Sequence, residues 1–127
     1  MVLKNSLVSP VLPMTDTERA RMFYRDTLGL KDVTPERMKE ALMFEAGRGT
    51  TLVLYKRPPV TPDYTQAGFL VEDVVQTVND LRARGVTFEN YDMPGLKTVD
   101  GIATTNNDKA AWFKDSEGNT LVVSQIL

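Results

Sequence analysis

"FLVEDVVQTVNDLRARG", residues 69–85, holds the transition on which the fold turns. The apolar run that ends in Phe69, Leu70 and Val71 is strand-like, and Glu72 and Asp73 then supply the negative charge that suits a helix N-terminus. Val74, Val78 and Leu81 recur at helical intervals and form an apolar stripe. Arg82 and Arg84 suit the last turn, and Gly85 stands where a left-handed C-terminal residue would close it. The stretch predicts a buried strand that passes directly into a short amphipathic helix.

The same grammar occurs earlier in the chain. "LVSPVLPM", residues 7–14, is strand-like, and Thr15 with Glu18 has the spacing of a capping box. Ala20, Phe23, Tyr24, Thr27 and Leu28 follow at helical intervals, and Gly29 ends the pattern. Asp16 and Asp73 are separated by 57 positions (73 − 16), and Gly29 and Gly85 by 56 (85 − 29). Two independent punctuation marks thus share one offset, which is the signature of an internal repeat.

Three strand-like segments follow each helix: "LKDV", "ALMFEA" and "TTLVLYK" in the first half, "VTFENY", "KAAWFK" and "NTLVVSQ" in the second. "EAGRGT" and "KDSEGN" are the turn-rich joints between the last two strands of each half. The expected fold class is α+β, with two tandem βαβββ modules whose curved mixed sheet surrounds a cleft. The modules span about residues 5–57 and 64–127 of a single 127-residue domain, joined by a proline-rich linker at 58–63. Gly49 and Gly118, in the matching hairpin turns, lie 69 apart (118 − 49), beyond the repeat offset, and the surplus falls in "DMPGLKTVDGIATTN". That insertion is expected to be a long loop acting as a lid or rim, with Lys97 and Asp100 as its charged residues.

Composition narrows the chemistry. The net charge of -2 gives no basic excess for a run of phosphates, so nucleic acid is not an expected partner. No apolar run reaches the roughly 20 residues of a membrane span, and the N-terminal stretch lacks a signal-peptide pattern, so the chain reads as soluble and cytoplasmic. It contains neither histidine nor cysteine, which removes the usual zinc ligand sets and the Ser-His and Cys-His nucleophilic pairs. Glu45, Asp92, Lys97 and Asp100 are the acids and bases left near the expected cleft, and spacing pairs none of them.

The paired plan, with "FYRDTLGL" after the first strand, "FLVEDV" before the second helix and "FKDSEGNTL" before the last strand, resembles the vicinal oxygen chelate superfamily of glyoxalases, extradiol dioxygenases and bleomycin-resistance proteins. In metal-using members of that family, ligands come from the first and last strands of each module. The resemblance carries those four positions onto Ser9, Val53, Gln66 and Val122. Two are hydrocarbon, and only Gln66 has a side chain that serves as a ligand in relatives. A divalent cation wants about six hard ligands with carboxylates among them, so neither metal nor cofactor is expected here.

Alternation in steps of two extends the cleft face from those positions to Val11, Tyr55, Gly68 and Ser124, and the resemblance adds Ala110 and Trp112. The expected result is an apolar pocket with aromatic walls and a few hydroxyl or amide groups. The function this predicts is metal-free binding of a small organic molecule, in the manner of the bleomycin-resistance type. Homodimerisation is implied by the resemblance. The alternatives are a metal-dependent glyoxalase-type lyase, isomerase or dioxygenase, and a protein interaction module.

Overall fold

The computed structural model describes residues 3–60 and 62–127; Met1 and Val2 of the N-terminal stretch and Thr61 of the linker lie outside the described residues. The chain divides into two compact units, Met1–Val60 and Thr61–Leu127.

Unit 1 runs β1 (Val11–Met14), α1 (Thr17–Met22), β2 (Lys31–Asp32), β3 (Ala41–Glu45) and β4 (Thr51–Lys56), with the four strands ordered β1-β4-β3-β2. β1 lies parallel to β4, and the other pairings are antiparallel. Asp16 is the N-cap of α1, its carboxylate accepting from the Arg19 N–H at 3.0 Å, one residue later than the Thr15 capping box predicts. The helix continues through a π-helical turn, Phe23–Thr27, and ends at Gly29, whose φ of 77° is the left-handed conformation expected there. Leu12, Met14, Leu42, Phe44, Leu52 and Leu54 are buried on one sheet face, against Ala20 and Tyr24 of the helix. Tyr24 stacks on Phe44 at 5.5 Å between ring centroids.

Unit 2 runs β5 (Thr65–Leu70), α2 (Val74–Ala83), β6 (Asp92–Met93), β7 (Leu96–Val99), β8 (Ile102–Thr104), β9 (Asp108–Lys114) and β10 (Thr120–Ile126), in the sheet order β5-β10-β9-β8-β7-β6. Asp73 caps α2 as Asp16 caps α1, accepting from the Gln76 N–H at 3.1 Å. Gly85 follows the helix with φ 94°. Val74, Val78 and Leu81 are buried, and α2 packs across β9 and β10, where Ala111, Phe113, Leu121 and Val123 face it. Phe88 meets Phe113 edge-on at 5.4 Å.

The two units share their opening strand, cap, helix and glycine, and differ where the insertion falls. The stretch expected to be a long loop is built of β6, β7 and β8, which extend the sheet beyond β9 as a meander. "VTFENY", expected as a full strand, contributes a bridge from Phe88 to Phe113 and a hydrogen bond from the Glu89 N–H to the Trp112 carbonyl. Short strands with turn residues between them carry too little apolar periodicity to register as strands from sequence alone.

Candidate functional site

In unit 1, Val11 pairs with Val53 and Pro13 with Tyr55, so these residues lie on the sheet face opposite Leu12, Leu52 and Leu54. Val11 is 56% and Tyr55 40% exposed, whereas Leu54 on the other face is fully buried. Ser9 adjoins this strip. Its hydroxyl donates to the Thr51 carbonyl and accepts from the Thr51 hydroxyl, each at 3.0 Å. The guanidinium of Arg57 lies 5.6 Å from the Tyr55 ring centre.

Unit 2 presents a more differentiated face. Register places Trp112, Val122 and Gly68 in one row across β9, β10 and β5, and Ala110, Ser124 and Leu70 in the next. Trp112 is half-buried, and its indole N–H donates to the Thr65 hydroxyl at 3.1 Å. With that polar edge satisfied, the ring is free to offer its apolar surface. Tyr91 packs edge-on against it at 5.6 Å and 83°. Burial pushes the Tyr91 phenol above its ordinary pKa, and the Glu89 charge adds to the effect.

Gly68 is in this row for a steric reason. A Cβ at that position would stand 2.8 Å from Val122 Cγ1, closer than carbon atoms pack. Gly68→Ala is therefore expected to destabilise by about 1 kcal/mol through overpacking. In a Val122→Ala background the same change should become neutral or stabilising, because it then only restricts the unfolded chain. Urea denaturation of the four variants measures this sign change, and additive effects would show that the contact relaxes freely.

Gln66 departs from simple alternation. The register shifts between Thr120, opposite Thr65, and Leu121, opposite Ala67, so Gln66 is the extra residue of a β-bulge. Its amide donates to Asn119 Oδ1 at 2.8 Å and its carbonyl oxygen accepts from the Thr120 N–H at 3.0 Å. Asn119 is in turn held by Asp115, which accepts from the Asn119 side chain and backbone, both at 2.8 Å. Gln66 thus closes a network that fixes the β9–β10 turn. Nothing in the local sequence reveals this partner, 53 residues away in the chain.

The four positions onto which the resemblance carries metal ligation do not fit a divalent cation. Val53 and Val122 have no donor atoms, Ser9 is bonded to Thr51, and both polar atoms of the Gln66 side chain are engaged. Among the described residues, no three Asp or Glu side chains gather as a cation site would require.

The two charged residues expected at the rim stand apart from the Trp112 row. Lys97 lies on β7 opposite Asp92, and alternation from Thr98, which pairs with Ala103, directs it away from the Ala110 side of the sheet. Asp100 occupies a tight turn at φ 56°, and its carbonyl accepts from Arg82. An open concavity of about 470 Å³ in unit 1 is lined by Arg21, Asp32, Thr34, Lys39 and Glu40 among others and has no aromatic wall. Burial would raise the Asp32 pKa, but hydrogen bonds from Thr34 and Arg21 outweigh it and hold the carboxyl below the ordinary carboxylate range. Arg21 and Asp32 of that lining pair with each other.

Two α+β units, each with a helix on one sheet face and an apolar strip on the other, define a glyoxalase-like fold. Residues 6–123 match the Glyoxalase/Bleomycin resistance protein/Dioxygenase superfamily, and the chain belongs to that family. No curated protein matches the sequence. Among solved structures, the chain is similar to TnmS3, an antibiotic binding protein from Streptomyces sp. CB03234, at 22% identity and a TM-score of 0.76, with 100% of each chain covered. A glyoxalase/bleomycin resistance protein from the same organism is 24% identical, with a TM-score of 0.70 over 94% of this chain and 100% of that one. Lactoylglutathione lyase from Agrobacterium tumefaciens is 19% identical, with a TM-score of 0.68 over 97% and 95%. At such identities the likeness is one of fold, and it spans a binding protein and an enzyme. Among the described residues, no helix is long and apolar enough to cross a membrane.

Proposed function

We propose that this chain binds a small organic molecule by apolar and aromatic contact, without a metal, and sequesters it. The observation that carries this reading is the row Trp112, Val122 and Gly68: an indole with its N–H already satisfied, a hydrocarbon side chain, and a position where a Cβ would crowd that side chain. Such a row makes a shallow apolar floor beside an aromatic wall, with the Ser124 hydroxyl one row away. The strip of Val11, Val53 and Tyr55 in unit 1 supplies a second surface of the same character. That TnmS3 is an antibiotic binding protein supports a small-molecule ligand over a macromolecular one. Tandem modules at about residues 5–57 and 64–127, homodimerisation and a cytoplasmic setting belong to the same reading: the sequence repeat supports the first, the family resemblance the second, and the lack of a membrane-span or signal pattern the third.

Trp112 is the one tryptophan of the chain, so its indole N–H gives a single resonance in a nitrogen-correlated NMR spectrum. Titration with a panel of neutral bicyclic and tricyclic aromatic amides is expected to shift that resonance saturably at micromolar concentration for some members. A resonance that no member of the panel moves would overturn the reading.

A further inference from the structure

Resting on that reading, we infer that the ligand is a planar aromatic anion and that Lys114 takes up its charged oxygen. The row adjacent to Trp112, Val122 and Gly68 consists of Lys114, Thr120 and Thr65, in register across the same three strands. Successive rows on one face are about 7 Å apart, close to the distance from the centre of a fused ring system to a substituent at its end. The Lys114 ammonium donates to the Thr120 hydroxyl, a bond that draws it over this row. An ammonium has three donors, and that bond uses one. Lys114 is exposed, and among the described residues no carboxylate forms an ion pair with it.

Charge on this face has a direction. Of the β9 residues whose alternation puts them beside Trp112, Lys114 is one row away on one side and Asp108 two rows away on the other. Asp108 is occupied by the Thr105 hydroxyl at 2.6 Å. A flat molecule stacked on Trp112 therefore meets a cation with spare donors at one end and small residues, Ala110 and Ser124, toward the other. A carboxylate or phenolate substituent fits the first end, and a neutral apolar ring fits the middle.

Calorimetric titration with 2-naphthoate and its neutral counterpart 2-naphthamide, at neutral pH and low salt, tests this. The carboxylate is expected to bind roughly five-fold more tightly than the amide, the scale of an exposed charge pair, and added salt should erode the difference. Lys114→Gln should abolish the preference while leaving 2-naphthamide affinity unchanged within about two-fold, and Lys114→Arg should retain it. Equal binding of the two probes to the native protein, or a preference that survives in Lys114→Gln, would sink the inference and leave the apolar site standing. Failure of both probes to bind would remove the site and the inference together.

Discussion

Replacing Asn119 by alanine is expected to lower the unfolding free energy by about 2–4 kcal/mol. Asn119 is 1% exposed, and its side chain joins two elements, donating to Asp115 Oδ2 and accepting from Gln66 Nε2 at 2.8 Å each. Truncation removes both bonds and leaves a carboxylate oxygen and an amide N–H short of partners in a water-poor site. Each unsatisfied group costs about 1–3 kcal/mol, more where charge is involved. The loss exceeds what a surface asparagine would show, typically within about 0.5 kcal/mol. Urea denaturation measures it, with an unchanged slope marking a pure stability effect. A change below about 0.5 kcal/mol would show that water replaces the side chain and that the turn is not held as described.

The second large effect concerns binding. Trp112→Ala should weaken the aromatic amides that shift the native indole resonance by roughly thirty-fold, from loss of about 80 Å² of stacked apolar area at ~25 cal/mol per Å². Stability should fall less, by about 1–2 kcal/mol, because the ring is only half-buried and gives up one hydrogen bond to Thr65 and one edge contact with Tyr91. Trp112→Phe keeps an aromatic surface and should recover most of the affinity. Calorimetry on the three proteins decides the matter. A stability loss of the size expected for a core tryptophan, about 3–5 kcal/mol, with affinity unchanged, would make Trp112 a packing residue and move the site elsewhere.

The strip in unit 1 and the row in unit 2 differ in what they offer a ligand. Tyr55 has a cation over its ring, whereas Trp112 has a satisfied N–H and an orthogonal tyrosine behind it. A ring preorganised by its neighbours loses less freedom on binding, and for that reason the proposed site is centred on the unit 2 row.

The spacings of Asp16 to Asp73 and of Gly29 to Gly85 marked the two helices and their common offset within the sequence itself, because helix ends are set by a few residues, although the cap expected for α1 was Thr15 and the structure uses Asp16. Alternation likewise put Val11, Val53 and Tyr55 on one strand face, since strand faces follow from a period of two; the structure shows Leu12, Leu42 and Leu52 buried on the other. Where the periodicity is interrupted, tertiary structure decided the outcome. The bulge at Gln66 depends on β10 lying beside β5, and it put Thr65 opposite Thr120 and tied Gln66 to Asn119. The meander of β6, β7 and β8 exists because β9 offers it an edge. Lys114 joined the row beside Trp112 through pairings that span up to 55 residues of chain (120 − 65), a distance over which one sequence carries no local signal.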